Sequence, residues 1–130
     1  MVSHVKKNIA KMLKGTGYAV DGIIYANRYE QSFLLIGITL FLILVLGIVF
    51  KISLLEWAIS VFLLGIISAC ELINTSMEAV IDLICPKIHP LAKIGKDTAS
   101  SAVFIISTAA FVTWLVIFVP KIIKMLEVLR

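Results

Sequence analysis

Three stretches of this chain are long enough and apolar enough to cross a lipid bilayer, which excludes most soluble architectures. The run from Phe33 to Phe50 contains no charged residue. As a helix rising 1.5 Å per residue it covers about 27 Å, close to the roughly 30 Å of bilayer hydrocarbon. A second run begins at Leu54 and ends near Pro86, a residue that cannot continue a helix. A third is uncharged from Thr98 to Pro120, long enough to span with some tilt. Composition agrees: 61% of the 130 residues are hydrophobic, 15% are charged and the mean hydropathy is +1.08. Soluble domains carry about 25% charge. A chain this short and apolar cannot cover itself with polar surface, so lipid is its expected solvent.

The segment ahead of the first span differs. Val5, Ile9, Met12, Leu13, Val20, Ile23 and Ile24 recur at spacings near three and four, while Lys6, Lys7, Lys11 and Lys14 fall largely off that stripe. This pattern predicts a basic amphipathic helix lying in the membrane interface, the plain alternative being packing against a partner helix. The lysines also leave no continuous apolar core for a cleavable signal peptide. The expected organisation is an all-α membrane protein forming one membrane domain over 1–130. It comprises a surface helix over 5–28, spans over 31–50, 54–85 and 94–120, and a tail over 121–130. With the N-terminus inside, the inner side holds 8 of the 12 Lys and Arg residues and the outer side 4. The positive-inside rule therefore puts the N-terminus in the cytoplasm. The net charge of +4 points to anionic lipid rather than nucleic acid.

The second span carries the chemistry. Glu71, Asn74, Glu78 and Asp82 are spaced by three, four and four, and at 100° per residue they share an arc of about 80° on one helix face. Ionisable groups in a spanning helix are costly and commonly face a polar interior where they serve function. The plain alternative is a polar seam that joins helices. Carboxylates near one interface suit a hard divalent cation, and Mg²⁺ is usually held by one or two carboxylates plus substrate phosphates. Glu30 opens the first span on the same side as Glu78. Lys96 and Asp97, just before the third span, could touch a nucleotide phosphate; the alternative is a snorkelling anchor. Soluble-kinase signatures are absent. Gly95-Lys96 lacks the upstream glycine of a phosphate-binding loop and is followed by Asp97. Read without further comparison, the stripe also fits an ion-transport subunit or a helical interaction protein.

The run E-L-I-N-T-S-M-E-A-V-I-D, from Glu71 to Asp82, resembles the signature of the prokaryotic diacylglycerol kinase family. Gly17-Tyr18 with Gly22, Glu30 with Phe33, His89, Lys96-Asp97 and Thr113-Trp114 follow in the family's order, over roughly residues 10–118 without gaps. The resemblance implies a homotrimer of three-span subunits in the bacterial cytoplasmic membrane. It implies ATP-dependent phosphorylation of a lipid hydroxyl, with Mg²⁺ accompanying ATP. Glu71 would be the general base, and Glu30 and Glu78 would hold the metal. Asn74, Lys96 and Asp97 would position phosphates and carboxylates, and Lys11, Tyr18 and His89 would contribute to nucleotide binding. The family often has Arg after the residue matching Phe33 and an acid two further on, where this chain has Leu34 and Ile36. One branch of the family phosphorylates undecaprenol. The Gly-Tyr and Thr-Trp pairs favour diacylglycerol as the expected acceptor, with undecaprenol the alternative.

Overall fold

A computed structural model describes residues 2–128. Met1, and the Leu129 and Arg130 end of the expected tail, lie outside the described residues. The fold is all-α, with α1 over Val2–Tyr29, α2 over Gln31–Val49, α3 over Leu54–Ile84 and α4 over Pro90–Val128. The last three are the helices long and apolar enough to cross a membrane. Within hydrocarbon a segment must satisfy its own backbone groups, which is why these runs form uninterrupted helices. Only 11% of the most apolar window of α2 is buried against protein. Leu34, Leu35, Phe41, Ile48 and Val49 all lie bare on its surface. A helix apolar all round in this way is solvated by lipid tails.

The apolar stripe of α1 is likewise uncovered: Ile9, Met12, Leu13, Val20, Ile23 and Ile24 are exposed, and Ala26 alone among the residues with described side chains is buried. Gly15, Gly17 and Gly22 make no close approach within the chain, since a Cβ at any of them would meet open space. Helix α1 gives way to α2 at Glu30, whose extended backbone (φ −105°, ψ 121°) makes it the N-cap of α2. Its side chain makes no capping bond.

The α2–α3 turn is closed by local chemistry. Ser53 and Glu56 form a capping box: the Glu56 N–H donates to Ser53 Oγ at 3.3 Å and the Ser53 N–H to Glu56 Oε2 at 2.6 Å. These bonds satisfy two of the free donors at the helix start. Gly47 lets the turn pack, because a Cβ there would lie 2.5 Å from two ring atoms of Trp57. Beside it Ile52, Ile117 and Phe118 form a core cluster with Leu46, Phe50, Trp57, Trp114 and Ile122 packed on it.

Helices α3 and α4 are antiparallel and make the most extensive contact in the chain. Ion pairs tie both ends, Lys96 Nζ to Asp82 Oδ1 at 2.6 Å and Lys121 Nζ to Glu56 Oε1 at 3.0 Å. Helix α4 differs in length from the expected third span. It starts at Pro90, where the missing N–H costs nothing. It then runs through Pro120 to Val128, so the segment expected as a tail is helical as far as it is described. The Glu56–Lys121 pair and the seat of Ile122 against the core hold α4 in register beyond the proline. At 39 residues α4 is about 58 Å long, and α3 at 31 residues about 46 Å. Both exceed the hydrocarbon, so their polar ends project beyond it.

Candidate active site

The polar residues of α3 form a graded series along one face. Glu71 is buried, with 5% of its surface exposed. Asn74 and Glu78 are half-buried, and the Asp82 side chain is 65% exposed. Eleven residues of helix separate the first from the last, about 16 Å of rise. The row therefore passes from a dry interior to open water within one element.

Side chains of α4 meet this face in antiparallel register. The Ser100 hydroxyl donates to Asn74 Oδ1 at 3.4 Å, and Asn74 Nδ2 donates to Glu78 Oε1 at 3.1 Å. The amide is thereby oriented, and one oxygen of Glu78 is fixed. One turn closer to water, Lys96 bonds Asp82 and also feels the charge of Glu78. Gly95 allows this approach, since a Cβ there would come within 3.0 Å of Ile81 Cδ1. Lys96 and Asp97 do not act as one unit: Asp97 is drawn to Lys93 on its own helix, one turn back.

The other anticipated residues stand apart in a single chain. His89 precedes α4 and its Nδ1 accepts the Leu91 N–H at 3.2 Å, a capping role. Lys11 and Tyr18 lie exposed on α1. Glu30 sits half-exposed where α1 meets α2. Among the described residues no three His, Cys, Asp or Glu side chains gather closely enough to hold a metal. An ion that arrives with phosphate oxygens needs only one or two carboxylates from protein, and Asn74 engages one oxygen of Glu78 and leaves the other uncommitted among the described residues. Ser100 was not anticipated as a member of the polar network, and Asp82, expected on the α3 stripe, gains Lys96 as its partner. Ser100 was legible in principle, as it follows Lys96 by four residues and so shares its helix face.

Glu71 opens onto a cavity of about 650 Å³ between α2, α3 and α4. Ser32 and Glu71 line one end, and Leu46, Trp114 and Phe118 lie toward the other. The start of α2 is thus brought to the level of Glu71. The wall is largely aliphatic and aromatic. Its polar side chains are Ser32, Thr39, Glu71 and Ser107, together with the indole N–H of Trp114. The Thr39 hydroxyl is already used on the Leu35 carbonyl at 2.8 Å. Glu71 makes no hydrogen bond or ion pair with the described residues. A buried carboxylate with free acceptor capacity, facing an apolar slot, is equipped to accept a proton from an alcohol held there.

Comparisons with known proteins agree on one family. Residues 17–118 match the family described as prokaryotic diacylglycerol kinase. The chain is 33% identical over 117 residues to the undecaprenol kinase of Bacillus subtilis, covering 90% of this chain and 95% of that protein. It is 29% identical over 106 residues to the diacylglycerol kinase of Pseudomonas aeruginosa, covering 82% and 86%. Against the diacylglycerol kinase of Escherichia coli it is 26% identical over 107 residues, covering 82% and 88%.

Proposed function

The chain belongs to the prokaryotic diacylglycerol kinase family, and from that premise we propose that it transfers the γ-phosphoryl group of ATP to the hydroxyl of a polyprenol such as undecaprenol. The observation that carries the reading is the buried Glu71 carboxylate on an apolar cavity, about two helical turns from the half-buried Glu78 and three from the Asp82–Lys96 pair. The lipid alcohol lies in the cavity with its hydroxyl at Glu71. Its oxygen forms a bond to the γ-phosphorus as the bond from that phosphorus to the ADP oxygen breaks, and its proton passes to Glu71. Lys96 offsets phosphate charge, and Ser100 with Asn74 holds Glu78 in orientation. Glu78 and Glu30 would hold the Mg²⁺ of the nucleotide, which would supply neutralisation of charge on the phosphates. Asp97, Lys11, Tyr18 and His89 complete the nucleotide side. Positioning and charge neutralisation account for most of the catalysis in reactions of this class. The N-terminus and the polar ends of α3 and α4 face the cytoplasm in this reading, where ATP is available.

The acceptor follows from the cavity wall. A diacylglycerol brings two ester groups beside its hydroxyl, and these need donors to replace water. The slot offers few, and Ile36 and Leu35 line it near its Ser32 end. A polyprenol carries no polar group besides the hydroxyl. The undecaprenol kinase of Bacillus subtilis is similar to 90% of this chain, over 95% of its own length. Diacylglycerol is the second reading, favoured by the relatives from Pseudomonas aeruginosa and Escherichia coli named for it. Labelled ATP offered with undecaprenol and diacylglycerol side by side in mixed micelles tests both. Faster labelling of undecaprenol supports the proposal, and faster labelling of diacylglycerol replaces the acceptor. Label in neither lipid, with ion flux in proteoliposomes, would return the carboxylate row to a transport role.

A further inference from the structure

A second cavity of about 580 Å³ opens at the end of the bundle away from the carboxylate row. Phe50 and Lys51 of the α2–α3 turn line one side, and Lys121, Lys124, Met125 and Val128 of distal α4 line the other. The family match ends at residue 118, so the α4 wall lies beyond it. Among the described residues no acidic side chain lines this cavity. Of its three lysines, Lys121 is neutralised by Glu56 at 3.0 Å. Lys51 and Lys124 have no acidic partner among the described residues. Two uncompensated positive charges therefore face one concave surface.

Lys51 is also the one described non-glycine residue with a positive φ, 49°, a conformation unfavourable for a residue with a side chain. The turn nevertheless presents a long cationic side chain from that position. The surroundings are apolar: Met125 and Val128 are exposed in the cavity wall, and Leu54 and Leu55 lie bare on the neighbouring start of α3. Cations bordered by exposed hydrocarbon, at the level where a spanning run ends, suit an anion that carries its own acyl chains. We infer that this cavity binds the phosphate-bearing headgroup of an anionic phospholipid, in the leaflet opposite the carboxylate row. The site is separate from the proposed reaction, because α3 and α4 set it at the other end of the bundle from Glu71 and Lys96.

The test is native mass spectrometry of the full-length protein in neutral detergent, titrated with phosphatidylglycerol or phosphatidylcholine. Phosphatidylglycerol is expected to bind the wild-type protein more tightly than phosphatidylcholine. Each lysine near an anionic headgroup is worth about fivefold in binding, so the K51Q/K124Q variant should bind phosphatidylglycerol about 25-fold more weakly. K51R/K124R keeps the charge and should keep the binding, which separates loss of charge from loss of fold. Phosphorylation of the acceptor lipid should be unchanged in both variants. Equal binding of the two phospholipids, or undiminished phosphatidylglycerol binding by K51Q/K124Q, would overturn the inference. Displacement of phosphatidylglycerol by millimolar inorganic phosphate would also overturn it, in favour of a site for free phosphate.

Discussion

Replacing Glu71 by leucine should make the protein more stable and a much slower catalyst. The side chain is 5% exposed and has no hydrogen-bonding partner among the described residues. A buried polar group left without a partner costs about 1–3 kcal/mol. Leucine has a similar reach, carries no polar atoms and continues the wall formed by Leu64 and Ile67. The carboxylate still opens onto the cavity, so the expected gain is at most about 1–3 kcal/mol, the penalty of a fully buried unpartnered group. Loss of a general base should slow transfer by about 10²–10⁴-fold. The isosteric Glu71→Gln change keeps a buried polar group, so it should share the loss of rate without the gain in stability. Unfolding in mixed micelles followed by far-UV circular dichroism gives the first quantity, and label transfer from ATP the second. A less stable Glu71→Leu protein would mean that the carboxylate is compensated and structural. A stabilised protein that retained activity would remove Glu71 from the reaction.

Glu78→Gln should abolish phosphoryl transfer while leaving helical content and thermal stability nearly unchanged, as read by label transfer and circular dichroism on one preparation; an active variant would rule out its metal role. Gly47→Ala should destabilise the fold by about 1–3 kcal/mol, because the added methyl group meets the Trp57 ring at 2.5 Å and something packed must shift; unfolding with Trp fluorescence reports it. Glu56→Ala removes both the capping-box acceptor and the partner of Lys121. It should lower the melting temperature, and a double mutant with Lys121→Ala should lower it little further, since the two act through one contact.

The fold was legible in the sequence wherever hydrophobic length decides the outcome. Phe33 to Phe50 has one solution in a bilayer, and α2 over Gln31–Val49 is that solution. The α3 stripe was legible too, because helical periodicity alone puts Glu71, Asn74, Glu78 and Asp82 on one face. Periodicity does not reach between helices. Only the antiparallel register of α3 and α4 decided that Lys96 pairs with Asp82 while Asp97 turns to Lys93, and that Ser100 reaches Asn74. The cavity beside Glu71 likewise needs three helices at once and leaves no trace in any one of them. The continuation of α4 past Pro120 is the same kind of fact. Proline locally disfavours the helix, but an ion pair to Glu56 and packing against Ile52 and its neighbours in the α2–α3 turn hold it, and those partners lie more than fifty positions away.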